Sequence, residues 1–139
     1  MKTFDVQSII INASFDRAFD FIAAAENLPK WTSAFQSASD GKALMRSPAG
    51  SVEIALRVDA SHKYGTVDWS MTFPDGSVAQ AYSRLVDRGL ESCIYSFLLT
   101  APPVPLEEIE GALEQQSRIL VEELASLRKI LEESPSGAR

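Results

Sequence analysis

A length of 139 residues suits one domain, and 45% hydrophobic with 23% charged residues is the ordinary mixture of a soluble globular protein. A net charge of −6 excludes the basic surface that nucleic acid or an anionic membrane would require. The single cysteine, Cys93, rules out an internal disulfide, and one cysteine with one histidine cannot close a zinc site.

The first segment, FDVQSIII from Phe4 to Ile11, is β-branched and aromatic and predicts a strand. Its apolar run is short and broken at Asn12, so neither a signal peptide nor a membrane span is expected. The protein is read as soluble and cytoplasmic. Ser14 is placed to cap a helix carrying Phe15, Ala18, Phe19 and Ile22 at helical spacing. A second short helix or turn follows, with Leu28, Trp31 and Phe35 as anchors and Pro29 in its first turn.

From Phe35 to Thr100 strand follows strand. Weak strands near 36–39 and 43–47 flank Asp40-Gly41, and a turn is expected at 48–50. SVEIALRV, 51–58, alternates cleanly. Residues 66–73 and 78–86 read as a hairpin joined at Asp75-Gly76, and Arg88-Gly89 turns into the strand 90–100. PPVP at 102–105 ends the sheet. Residues 105–133 predict a long helix with Ile109, Leu113, Gln116, Leu120, Leu124, Leu127 and Leu131 along one stripe, weakened early by Gly111. The fold class is α+β, with an antiparallel sheet and segregated helices. Residues 1–134 are read as a single domain and 135–139 as a disordered tail.

Two-residue turns at Asp75-Gly76, Arg88-Gly89 and near Ser61-His62 set a common register. They place Val52, Ile54, Leu56, Val67, Trp69 and Met71 on one face with Gln80, Tyr82, Arg84, Cys93, Tyr95, Phe97 and Leu99. The opposite face, with Glu53, Arg57, Asp68, Ser70, Thr72, Ala79, Ala81, Ser83 and Ser92, reads as small, polar and solvated. An even-odd slip at residues 74–76 would exchange the faces of the strand that follows.

The order of strand, two short helices, six strands and a long helix resembles the helix-grip fold of the START-like, or SRPBCC, superfamily. The residues that carry this resemblance are SIIINASFDRAFDFIAAAENLPKWTSAF at the start, the PDG hairpin, and LEQQSRILVEELASLRKILE near the end. The resemblance spans about residues 3 to 133 and implies a cavity between the curved sheet and the long helix. Trp31, Phe35, Leu56, Trp69, Met71, Tyr95, Phe97, Leu113 and Leu120 would then line it, with Gln80, Tyr82, Arg84 and Gln116 as polar contacts. It further implies a small, largely apolar ligand. No cofactor and no metal are expected, and the solvated outer side of the long helix reads as that of a monomer or weak dimer. A cyclase or dehydratase activity and a protein-interaction role are the alternatives within the same resemblance.

The polar residues each have a plainer use. Arg84 either meets a ligand oxygen or pairs with a surface acid at the strand end. Tyr82 and Tyr95 serve as hydrogen-bonding hydroxyls or as a cross-strand aromatic pair. His62 suits an exposed turn better than a general base, and Asp68 suits a surface pair with Arg57. Cys93 is read as a small core residue rather than a nucleophile. Trp31 either gates the cavity or plugs it.

Overall fold

Strand β1 (Phe4–Ile11) turns Ile9 and Ile11 inward and pairs along its whole length with the last strand, from Phe4 opposite Thr100 to Ile11 opposite Cys93. The computed structural model of the protein describes residues 3–39, 41–48 and 50–133, so the expected tail at 135–139 lies outside the described residues. After β1, Ser14 caps α1 (Phe15–Ala23), its Oγ accepting from Arg17 N at 3.2 Å. A 3-10 turn (Ala25–Asn27) and α2 (Leu28–Trp31) carry the chain to the far edge of the sheet. Strands β2 (Phe35–Ser39), β3 (Gly41–Ser47), β4 (Gly50–Ser61), β5 (Thr66–Thr72), β6 (Val78–Asp87) and β7 (Cys93–Thr100) then return as a meander. The result is a curved seven-stranded antiparallel sheet in the order β1-β7-β6-β5-β4-β3-β2.

The C-terminal helical stretch is broken in two. α3 (Val104–Glu110) stops at Gly111, whose φ of +89° suits glycine, and α4 (Leu113–Glu133) follows. α4 buries Leu113, Gln116, Leu120, Leu124, Leu127 and Leu131, as the periodicity predicts. It is tied to its surroundings at three levels. Gln7 Nε2 donates to Ser117 O at 2.7 Å, Ser33 N to Glu123 Oε2 at 2.8 Å, and Asn12 N to Glu132 Oε2 at 2.7 Å. No helix among the described residues is long and apolar enough to cross a membrane.

The β5–β6 turn differs from expectation by one residue, and the consequence is large. Phe73 N donates to Ser77 O and Gly76 N to Phe73 O, so Pro74, Asp75 and Gly76 form a three-residue connection. Asp75 Oδ1 locks it by accepting from Ser77 N and Ser77 Oγ. Met71 therefore faces Ala79 and Trp69 faces Ala81. Ala79, Ala81, Ser83 and Leu85 point inward, while Gln80, Tyr82 and Arg84 are on the outer face. The next turn is also longer, closing from Arg88 N to Ser92 O, with Leu90 and Glu91 at positive φ. This second shift restores parity, so Cys93, Tyr95 and Phe97 face the core as expected, opposite Asp87, Leu85 and Ser83.

The outer face is correspondingly less polar than predicted. Two apolar rows, Val6–Leu98–Tyr82 and Ile10–Ile94–Val86, run across β1, β7 and β6 on either side of Ser8–Ser96–Arg84. Asp68 stands opposite Asp59 rather than beside Arg57, and its Oδ1 accepts from Ser83 N at 3.2 Å.

Candidate functional site

The inward alanines of β6 are shorter than the residues they face, and a recess of about 70 Å³ opens at this end of the sheet. Its floor is Trp69 and Met71 of β5, Ala79 and Ala81 of β6, and Phe97 and Leu99 of β7. α2 contributes Leu28 and Trp31, and Phe35 begins β2 beside them. The helices close it with Leu106 and Glu110 of α3 and Gln116, Leu120 and Glu123 of α4. Phe97 organises the aromatic wall: Trp69 stacks on it at 5.6 Å, and Trp31 meets it edge-on at 6.4 Å.

Several polar groups in this wall lack partners. Trp31 Nε1 and Trp69 Nε1 are buried and bond to nothing among the described residues. A buried donor left unpaired costs about 1–3 kcal/mol. Gln116 is 4% exposed; its Nε2 donates to Gly111 O at 2.9 Å, which leaves Oε1 without a donor. Glu123 Oε2 accepts from Ser33 N and Oγ at 2.8 and 3.1 Å. Burial pushes the Glu123 carboxyl above its usual range, against those two hydrogen bonds. Glu110 is pushed up to about 8, first by burial and then by the charge of Glu123. At neutral pH the pair therefore holds a proton on Glu110.

Of the residues expected at the site, Trp31, Phe35, Trp69, Met71, Phe97, Gln116 and Leu120 border this recess. Gln80 borders its open edge but is exposed, with Oε1 accepting from Ser70 Oγ. Leu56, Leu113 and Tyr95 are buried elsewhere in the core. Burial drives the Tyr95 phenol far above its ordinary range, opposed by the neighbouring Ser83 hydroxyl, which itself donates to Val67 O. Tyr82 is 40% exposed on the outer face. Arg84 is exposed there too, donating from Nε to Tyr64 O at 3.2 Å. Both were expected inside, and the three-residue turn puts them outside. Arg84→Ala is accordingly expected to change stability by no more than about 0.5 kcal/mol in urea unfolding, and to leave ligand affinity unchanged. A larger loss of affinity would place the guanidinium in the site after all.

His62 sits at the other end of β5, with Nε2 2.7 Å from Asp16 Oδ1 and its ring edge-on to Phe15 and Phe19. Cys93 donates to Ala13 O, and its thiol is pushed up to about 11 by burial, then by Asp87 and Glu91. Such a thiol is a poor nucleophile at neutral pH. Among the described residues no cluster could hold a metal ion. Sequence reasoning missed Glu110 and Glu123. Glu123 lies seven residues after Gln116, on the same helical face, and that spacing is the signal that could have found it.

Helices gripping a curved antiparallel sheet around an inner recess define the helix-grip class. Comparison with solved structures makes the likeness specific. A START superfamily protein from Mycobacterium smegmatis superposes with a TM-score of 0.69 at 11% identity, over 96% of this chain and 100% of that one. The Bacillus cereus protein XoxI gives 0.68 at 15% identity, over 94% and 96%. An aromatase/cyclase, Zhui, from a Streptomyces species gives 0.68 at 11% identity, over 97% and 96%. The chain has the START-like, or SRPBCC-like, fold. No family model and no curated protein sequence matches it.

Proposed function

We propose that the protein binds a small, largely apolar molecule in the recess between the sheet and the C-terminal helices. The observation that carries this reading is the pairing of Ala79 and Ala81 with Met71 and Trp69. A core built only for stability fills such a gap, whereas here the space is left beside unpartnered indole N–H groups. Sites for drug-sized ligands run to about 300 Å³ or more. A recess of about 70 Å³ thus takes one ring or a short chain and leaves the rest of a larger ligand at its mouth.

The test is to fill the space. Ala81→Leu is expected to weaken binding of n-hexanol by roughly tenfold, which is about 1.4 kcal/mol. The cost in stability should be no more than about 1–2 kcal/mol, since the added methyls enter an open recess. Trp31 and Trp69 are the only tryptophans of the chain, so indole fluorescence reports occupancy directly. Unchanged hexanol affinity in a folded Ala81→Leu protein would sink this reading.

One observation favours a second reading, in which the bound molecule also reacts. A carboxyl group held near 8 can give and take a proton at neutral pH. The solved structures of this fold include aromatase/cyclases.

A further inference from the structure

We propose that the recess selects primary amines: an ammonium group docks against Gln116, Glu110 and Glu123 while its apolar substituent lies among Trp31, Trp69 and Phe97. This rests on the apolar-ligand reading above and adds to it the chemistry of the ligand's polar end. Gln116 is buried, and its orientation is fixed because Nε2 must face the Gly111 carbonyl. Oε1 is then an acceptor with no donor among the described residues. One turn beyond Leu120 on the same face, Glu123 uses Oε2 for Ser33 and keeps Oε1 free. Glu110 closes the cluster from the end of α3.

Arg46 borders an adjoining recess with both carboxyls, but its Nη1 donates to Ser33 O at 3.0 Å and Phe35 O at 3.2 Å. Neither glutamate has an ion-pair partner among the described residues. An ammonium group offers three donors to these oxygens, the neutral Glu110 carboxyl included, and one positive charge to Glu123. An alcohol offers one donor and no charge, and a carboxylate adds repulsion. The net charge of −6 draws cations toward the protein from a distance.

The experiment titrates the full chain at pH 7 with n-hexylamine hydrochloride, n-hexanol and sodium hexanoate, which share one apolar tail. The two indole N–H resonances, from Trp31 and Trp69, read occupancy. Hexylammonium is expected to bind at least about tenfold more tightly than hexanol, and hexanoate more weakly than either. Glu123→Gln and Gln116→Met should each bring the amine to within about twofold of hexanol, each compared in the same variant. Equal affinity for amine and alcohol in the unmodified protein overturns the amine selectivity and leaves the apolar recess standing. A preference that survives both substitutions overturns it as well, because the selectivity then lies elsewhere. If none of the three probes moves either indole resonance, the apolar-ligand reading falls with it.

Discussion

Gly65→Ala is expected to destabilise the protein by about 3 kcal/mol, although it adds one methyl group at a hairpin turn. Gly65 has a φ of +73°, and a Cβ built there would lie 2.1 Å from the backbone oxygen of Leu85. A left-handed conformation alone costs an L-residue about 1–2 kcal/mol. The contact cannot be relieved by a side-chain rotation, because its other side is backbone. Moving apart would stretch the hydrogen bond from Leu85 N to Gly65 O, now 2.7 Å, worth about 1 kcal/mol more. Urea unfolding reads the effect as a lower midpoint with an unchanged slope. A loss below about 1 kcal/mol would mean that the turn has room to move away from β6.

Glu110→Gln is expected to act in the opposite direction, and only at high pH. The Glu110 carboxyl stands near 8 in the folded chain, well above its ordinary 4.5. Below pH 4.5 it is protonated in both states and contributes nothing to the balance. Between 4.5 and 8 the unfolded chain releases a proton that the folded chain keeps, so stability falls as pH rises, and it levels off above 8. Converted in full, the displacement would be about 5 kcal/mol. Glu110 is only partly buried, and solvent screening reduces the expectation to about 2 kcal/mol. Glutamine removes the slope. The variant should be the more stable protein at pH 8.5 by about 2 kcal/mol and should match the parent at pH 4. Parallel pH profiles for the two proteins would show that the carboxyl is freely solvated.

The order of elements was readable because each segment carries its own period. Residues 51–58 alternate strictly, and the leucines of α4 recur at steps of four and three. The face of β6 was not readable in that way. One row holds Ala79, Ala81 and Ser83, the other Gln80, Tyr82 and Arg84, and neither is plainly apolar. Turn length alone decides between them, and Pro74-Asp75-Gly76 is compatible with a two- or a three-residue connection. The hydrogen bond from Phe73 N to Ser77 O settles it. The aromatic wall was legible from Trp31, Trp69 and Phe97, which are large and apolar wherever they fall. The carboxyl pair was not, because glutamates on a helix ordinarily mark its solvated side. Glu110 borders the recess from the last position of α3, where Gly111 stops the helix.

The pairing of β1 with β7 sets an order of events during synthesis. Six strands from β2 to β7 each pair with a neighbour close in sequence, so those hairpins can form as the chain emerges. β1 is made first but finds its partner last, since Phe4 waits for Thr100. Until then the leading strand, with Phe4, Val6 and Ile10 along one side and Ile9 and Ile11 along the other, has no sheet edge to join. The growing polypeptide therefore carries an apolar strand unpaired through most of translation. That interval is when protection by a chaperone would matter most.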